Sequence, residues 1–293
     1  MSKRLTALLI SAAALMCGVA AKIQAEPLVA YTTSNRLLTF DSSTPGTIAT
    51  NVAITGLATG ESLRGIDYRP ADRLLYGLSD QNRIYTLNPL TGTASLVSIL
   101  SVSLSFPSGN FGVDFNPTVD RLRVVGSDDQ NLRINVDTGA TTVDVPINPA
   151  GNSVVGSAYT NNFAGASTTT LYAIDPVTDA LYIQNPPNNG TLNLVGNLGV
   201  DTSGLVGFDI SGTGVAFSVL TPNGGVSSLY SINLATGAAT LIGQIGTGFN
   251  IDGLAAQPGA AVPEPTTMFL LATGLAGIAT RMRKRRKPVD KAV

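Results

Sequence analysis

The stretch RGIDYRPADRLLYGLSD, residues 64–80, returns in a 293-residue chain as FGVDFNPTVDRLRVVGSD, residues 111–128. Both copies place a glycine ahead of an apolar residue, an aspartate and an aromatic residue. Looser copies follow in VVGSAYTNN from Val154, VGFDISGTG from Val206 and IDGLAAQPG from Ile251. A period of about 45 residues indicates one supersecondary unit per repeat. The marker glycines, spaced by 47, 44, 51 and 46 positions, are Gly65, Gly112, Gly156, Gly207 and Gly253.

A second marker keeps the same period. An alternating segment such as RIYTL (83–87) or SLYSI (228–232) is followed by NPLTG (88–92) or NLATG (233–237). An Asn or Asp side chain that bonds its own backbone, followed by a glycine able to adopt positive φ, is typical of a hairpin turn. Each repeat therefore predicts four short antiparallel strands.

Four strands per repeat predict an all-β fold, a β-propeller with five four-stranded blades. The body begins at Leu28 with segments that match the second and third strands of a unit, and it ends with a first strand from Ile251. We therefore expect the C-terminal strand to pair with the N-terminal one, which closes the ring and leaves no open edge. A sandwich or a solenoid is the alternative, although a solenoid needs polar capping repeats at its ends.

Composition excludes several functions. The chain contains no histidine, which excludes Ser-His-Asp hydrolysis, His-ligated zinc and imidazole acid–base catalysis. Between Glu26 and Ala261, 17 acidic residues face 8 arginines, so phosphate backbones are repelled and no nucleic-acid partner is expected. No catalytic motif is recognisable, and the protein is predicted not to be an enzyme.

The N-terminus has the features of a secretory signal peptide, residues 1–25. Lys3 and Arg4 precede an apolar run, and Ile23-Gln24-Ala25 predicts cleavage by signal peptidase after Ala25. Acylation of Cys17 is the alternative, but Met16 is bulky where such sites hold a small residue. Loss of Cys17, the only cysteine, leaves no disulfide in the exported chain. The propeller domain is expected to span residues 26–258.

The C-terminus divides into three parts. Residues 259–265 form a linker that ends in Pro-Glu-Pro, residues 266–280 are mostly apolar, and residues 281–293 are basic. Fifteen residues give a helix of about 22 Å, against the roughly 20 residues of a stable membrane span. We expect a short transmembrane segment that holds the chain briefly in the membrane, with the basic tail in the cytoplasm.

Both parts resemble known families. From about Leu28 to Pro258, stretches such as GVDFNPTVDRLRVV resemble an uncharacterised family of exported bacterial proteins, a domain of unknown function that supplies no activity. The C-terminal pattern resembles the PEP-CTERM sorting signal of Gram-negative bacteria. That resemblance implies recognition of Pro263, Glu264 and Pro265 by an exosortase, a membrane Cys protease that removes the tail. It also implies release or attachment at the cell surface.

Three aspartates are candidate site residues. Two positions after a marker glycine stand Asp67, Asp114 and Asp209, with alanine in the other two repeats. Since first strands line the centre of a propeller, three carboxylates are expected near its axis. Three interpretations are open for these aspartates. They accept backbone N–H groups and so fix one blade to the next, they bind Ca²⁺ as a cofactor, or they supply the carboxyl pair of a glycoside hydrolase.

The resulting functional expectation is a non-enzymatic binding or adhesion module of the cell surface or extracellular matrix. Its association with exopolysaccharide and biofilm, and hence a polysaccharide ligand, follows from the PEP-CTERM resemblance. The rival is a carboxylate-dependent glycoside hydrolase or a calcium-binding propeller enzyme. Tyrosines such as Tyr68 and Tyr76 are expected to pack between blades, with sugar stacking as the alternative.

Overall fold

The computed structural model describes residues 25–149 and 151–260, and these residues form an all-β propeller with five four-stranded antiparallel blades. The predicted fold class and blade number are confirmed. Apart from a single-turn 3-10 helix at Pro187–Asn189, the regular structure consists of strands. Within the described ranges, no helix has the length and apolar character needed to cross a bilayer. The predicted transmembrane segment, residues 266–280, lies outside them.

The twenty strands follow the predicted repeat. In chain order they are β1 Pro27–Thr32, β2 Arg36–Asp41, β3 Ile48–Ala53, β4 Leu63–Tyr68, β5 Leu75–Ser79, β6 Arg83–Leu87, β7 Ala94–Ile99, β8 Phe111–Asn116, β9 Arg121–Gly126, β10 Asn131–Ile134, β11 Thr141–Val143, β12 Gly156–Tyr159, β13 Leu171–Asp175, β14 Ala180–Gln184, β15 Leu192–Asn197, β16 Thr202–Ile210, β17 Ala216–Pro222, β18 Ser228–Ile232, β19 Ala239–Gln244 and β20 Ile251–Ala256.

Blade 1 closes the ring as the sequence predicts. Its strand order is β20-β1-β2-β3, and β20 pairs antiparallel with β1 so that Ala256 lies opposite Leu28 and Gly253 opposite Tyr31. Blades 2, 3, 4 and 5 are β4–β7, β8–β11, β12–β15 and β16–β19, each formed by consecutive strands. The innermost strands are β20, β4, β8, β12 and β16. Because all of a blade's strands are paired within it, the body from residue 26 to residue 260 contains the whole ring.

The marker glycines lie where innermost strands of adjacent blades approach each other. A Cβ atom built on Gly112 lies 2.7 Å from the main-chain nitrogen of Ser157 in the next blade. One built on Gly207 lies 2.6 Å from the nitrogen of Leu254. Real Cβ atoms do not come this close to backbone, so the inner seam requires glycine at these positions.

The second marker lies at the outer seam. The turn glycine of blade 2, Gly92, has φ of +76°, and its Cβ position is 2.1 Å from the carbonyl oxygen of Ala53 in blade 1. Gly139 repeats this approach against Ile99, and Gly237 against Gly196. The two glycine signals of the sequence therefore mark the inner and outer edges of the blade-to-blade contact.

Apolar cores fill the seams between blades. The seam between blades 2 and 3 buries Tyr76 against Phe115, with ring centroids 5.3 Å apart in an edge-to-face arrangement. The seam between blades 3 and 4 has a smaller apolar cluster, formed by Val125, Ile147, Val154, Ala173 and Leu192. Polar side chains occupy the rest of that seam.

The chain leaves the ring across its centre. After β20, Gly212 of blade 5 donates its N–H to the carbonyl of Gln257, and Gly259 donates its N–H to the carbonyl of Asn162 in blade 4. Asn162 in turn donates its side-chain amide to the carbonyl of Ile210. Residues 257–259 therefore form a strap that runs from blade 1 over the end of the axis to blades 4 and 5.

Candidate functional site

The structure brings Asp67, Asp114 and Asp209 together at the axis, on β4, β8 and β16. One oxygen from each carboxyl lies within 4.8 Å of the others. The three side chains are 1–2% exposed. We refer to these residues as the axial triad.

The axial triad satisfies five main-chain N–H groups, one from each blade, at distances of 2.6–3.1 Å. The acceptors and donors are Asp67 with Tyr68 and Phe115, Asp114 with Tyr159, and Asp209 with Ile210 and Ala256. All five donors stand three positions after a marker glycine. Where a blade carries alanine in place of aspartate, the neighbouring aspartate bonds the donor that would otherwise stay unpaired. The triad thus joins all five innermost strands.

All three carboxyls of the triad have raised pKa values. Burial, followed by repulsion from neighbouring carboxylates, raises the pKa of Asp67 and of Asp114 well above the ordinary value of 3.8. Burial raises the pKa of Asp209 to about 7, while hydrogen bonds from Ala256 and Ile210 oppose that rise. Burial therefore favours the neutral form of Asp67 and of Asp114 more strongly than it is favoured in an exposed aspartate.

Calcium does not suit this donor set. Ca²⁺ takes six to eight oxygen ligands, whereas five of the six triad oxygens already accept N–H bonds. The sixth, Asp114 Oδ2, receives no bond from an N–H group. The geometry fits the interpretation in which the carboxylates fix blades to one another.

The arrangement also differs from a glycosidase centre. Retaining enzymes hold their two carboxyl groups about 5–5.5 Å apart and inverting enzymes about 6.5–9.5 Å, on opposite sides of a bound sugar. The triad oxygens lie within 4.8 Å of one another, in side chains almost without solvent exposure. No space for a sugar separates them.

Below the triad, towards the start of the innermost strands, the axis holds only a cavity of about 10 Å³, which is the space of one water molecule. Asp252 lines it, and burial raises the pKa of Asp252 to about 7 while Arg64 lowers it. At this level the described residues pack closely around the axis, and the larger cavities lie away from it.

An open groove lies at the seam between blades 1 and 2. Two cavities of about 590 and 420 Å³ share Tyr68, Pro89, Leu90 and Gln257, so they form one continuous depression. We call it the closure groove. Leu90 is 66% exposed at its rim.

Ring closure explains why this seam is open. In blade 2, the loop between the two inner strands carries Arg69, which bonds Asp120 and Asp137 of blade 3 and covers that seam. Blade 1 has no such loop, because its two inner strands are the two ends of the ring. Among the residues that the structure describes, no loop covers the seam beside it.

Sequence reasoning did not find the closure groove. Tyr68 is predicted to pack between blades, and it is buried, yet it lines both cavities together with Gln257. The available signal was the missing inner loop of blade 1. The predicted sorting residues Pro263, Glu264 and Pro265 lie outside the described residues, as does the signal peptide up to residue 24.

Comparison with known families gives two matches. Residues 36–255 match the model of a domain of unknown function (DUF4394), and residues 261–286 match the PEP-CTERM protein-sorting motif. No curated protein matches the sequence.

Solved structures show only distant likeness. A protein of unknown function from Bacteroides thetaiotaomicron is 15% identical with a TM-score of 0.49, and the match covers 80% of this chain and 64% of that one. A chain of a nidogen/laminin complex is 11% identical with a TM-score of 0.48, covering 81% of this chain and 100% of that one. A putative 6-phosphogluconolactonase from Bacteroides uniformis is 16% identical with a TM-score of 0.40, covering 79% and 71%.

Proposed function

The chain belongs to the family of the domain of unknown function DUF4394, and from that premise we propose that its propeller is a non-enzymatic module that binds polysaccharide at the cell surface or in the extracellular matrix. The PEP-CTERM motif makes the chain an exported protein sorted by an exosortase. Proteins sorted in this way are directed to the surface or beyond it, where polysaccharide is the abundant ligand.

The closure groove is the observation that carries this proposal. Tyr68, Pro89 and Leu90 offer apolar surface against which the C–H faces of a sugar pack. Asn88, Thr86 and Gln257 lie alongside with amide and hydroxyl groups that pair with sugar hydroxyls. Apolar walls with a few polar groups are the ordinary composition of a ligand site.

A non-enzymatic role is favoured by where the carboxyl groups are. The axial triad is buried and engaged by backbone, so no acid–base pair accompanies the groove. The groove lining contains one carboxylate, Asp41, and one cation, Arg73. A glycosidic bond needs two carboxyl groups facing it. Binding without cleavage is the function that this lining supports.

Two exposed leucines, one at the groove and one away from it, provide the test and its control. Leu90→Asp places a charge on its apolar rim, and Leu194→Asp makes the same change on β15 of blade 4, where the leucine is 63% exposed. We expect Leu90→Asp to weaken binding to polysaccharide from the producing bacterium by about tenfold. Leu194→Asp should bind like the unaltered body. Equal binding by the two variants would remove the groove from the proposal.

Sorting is tested separately from binding. The change of Pro263 and Glu264 to alanine removes the motif that the exosortase recognises while leaving the propeller intact. We expect full-length protein to accumulate in the inner membrane, visible by fractionation and a C-terminal tag. Normal tail removal in that variant contradicts the sorting role of these residues.

A further inference from the structure

Blade 3 departs from the repeat at two positions in one row of its sheet. Asp114 lies opposite Arg123, and Arg123 lies opposite Arg133. The matching positions on the second strands of the other blades hold Val29, Tyr76, Tyr172 and Phe217, and those on the third strands hold Thr39, Thr86, Ile183 and Ser231. Of the five blades, blade 3 alone has guanidinium groups there.

Two arginines share one carboxylate in this seam. Arg123 is 1% exposed and bonds Asp144 at 2.7 Å, and Arg133 bonds the same carboxylate through Nε at 2.7 Å and Nη2 at 2.9 Å. Further bonds from Arg123 reach the side-chain oxygens of Asn131 and Asn188. The group formed by Arg123, Arg133 and Asp144 therefore has one more positive than negative charge, in a body that is acidic as a whole.

A cavity of about 340 Å³ opens beside this pair, between blades 3 and 4. Arg133, Asn116, Asn188 and Thr168 line it, and no Asp or Glu does. We call it the arginine cavity. Burial of Arg123 at a position where three other blades hold an aromatic residue reduces apolar contact, which accords with the small apolar cluster of this seam.

Three donor groups of this cavity have no partner among the residues that the structure describes. They are Nη1 of Arg133 and the side-chain amide nitrogens of Asn116 and Asn188, whose oxygens are already engaged. A guanidinium N–H with two amide N–H groups and no acid is a lining that accepts an oxyanion.

We infer that the arginine cavity binds the carboxylate of an acidic sugar, so that the ligand of this propeller is a uronate-containing polysaccharide. This inference rests on the proposed function and narrows its ligand. Arg133 Nη1 donates to the carboxylate, and Asn116 and Asn188 donate beside it. Asp144 keeps Arg133 in place through its other two nitrogens.

The test compares a short oligogalacturonate with its methyl ester, in which each carboxylate loses its charge and gains a methyl group. Binding to the propeller body, residues 26–260, is measured by calorimetry. We expect the acid to bind roughly ten- to a hundredfold more tightly than the ester, as for a charge-assisted hydrogen bond. Equal affinities would overturn the inference.

Two variants locate the site. Arg133→Gln removes the donor and leaves Asp144 paired with Arg123. Asn188→Asp keeps an oxygen for Arg123 and adds a repelling charge to the cavity. Both should lose the preference for the acid, while Arg36→Gln on blade 1 keeps it. Thermal melts establish that each variant is folded, and a folded Asn188→Asp that still prefers the acid contradicts the site.

Failure of this inference is distinguishable from failure of the proposed function. If neutral glycans bind and Leu90→Asp weakens them, while the acid has no advantage, only the arginine cavity is wrong. If the acid binds through Arg133 and Leu90→Asp has no effect on any glycan, the closure groove is wrong and the cavity stands.

Discussion

Asp209 in blade 5 accepts the main-chain N–H of Ala256 at 2.6 Å. Ala256 ends β20, the strand that closes the ring against β1. A side chain from the last blade thus holds the strand that completes the first blade. The same aspartate also accepts the N–H of Ile210.

The number of N–H groups on each aspartate predicts a ranking of stability. Asp209→Ala and Asp67→Ala each leave two buried N–H groups unpaired, and Asp114→Ala leaves one. Each unpaired group costs about 1–3 kcal/mol. We expect urea unfolding to show the larger loss for the first two variants. Asp201→Asn, at an exposed site, is the control. A larger loss for Asp114→Ala would contradict this account.

The axial triad predicts that stability falls as pH rises. Burial raises the pKa of Asp209 from 3.8 to about 7 and that of Asp67 well above its ordinary value. A raised carboxyl pKa gives stability that is present below the unfolded value and lost as pH rises through the folded value. We expect a lower urea midpoint at about pH 8 than at about pH 5. Asp252, with a pKa of about 7, acts in the same sense.

Two comparisons assign this pH effect to the triad. Asp114→Ala should reduce the difference between the two midpoints, because it removes one of the three buried carboxyls whose raised pKa values cause the pH effect. Glu61 does not contribute to this difference. Burial raises its pKa, but hydrogen bonds from Ser79 and Tyr85 outweigh burial and lower the pKa below its ordinary value of 4.5. A lowered carboxyl pKa gives stability that is fully present above the unfolded value and is lost only as pH falls through the folded value. A midpoint that rises from pH 5 to pH 8 would be the wrong sign.

The inner seam predicts which glycines tolerate a methyl group. Gly207→Ala forces a Cβ to 2.6 Å from the backbone of Leu254, whereas in Gly253→Ala the nearest atom is a side-chain carbon of Ile66 at 3.5 Å. We expect Gly207→Ala to lose about 1–3 kcal/mol and Gly253→Ala to change little. Thermal unfolding of the two variants measures the contrast. Similar losses for the two variants would show that close contact between blades does not determine which glycines are required.

Calcium should not stabilise the protein. Main-chain N–H groups already compete for the lone pairs of five triad oxygens, and Ca²⁺ needs six to eight oxygen ligands. We expect identical melts with about 1 mM CaCl₂, near the affinity of extracellular calcium modules, and with a chelator. A rise in Tm that Asp114→Asn abolishes would restore the calcium interpretation.

The fold was predictable because its sequence signals are consequences of blade contact. Gly207 and Gly92 stand where another blade's backbone leaves no room for Cβ, which explains why most repeats carry glycine at the two marker positions. The triad was predictable for the same reason, because residues that stand the same number of positions after a marker glycine lie at the same height along the propeller axis. That Asp67 bonds two blades at once required the register between strands.

The two proposed ligand sites could not be predicted in this way. The closure groove exists because blade 1 has no loop between its two inner strands. A missing loop leaves no motif in the sequence that could be recognised. The arginine cavity joins Arg133 of blade 3 to Asn188 of blade 4, which are far apart in sequence. The arginines do break the repeat, but the sequence alone does not show that they share Asp144.

The most direct test of the central claim is a glycan array probed with the purified propeller body, residues 26–260. The proposed function predicts binding to a restricted set of polysaccharides, with no cleavage products released from them. Binding to none of the glycans would contradict the polysaccharide-binding role, and release of shortened products would contradict its non-enzymatic character.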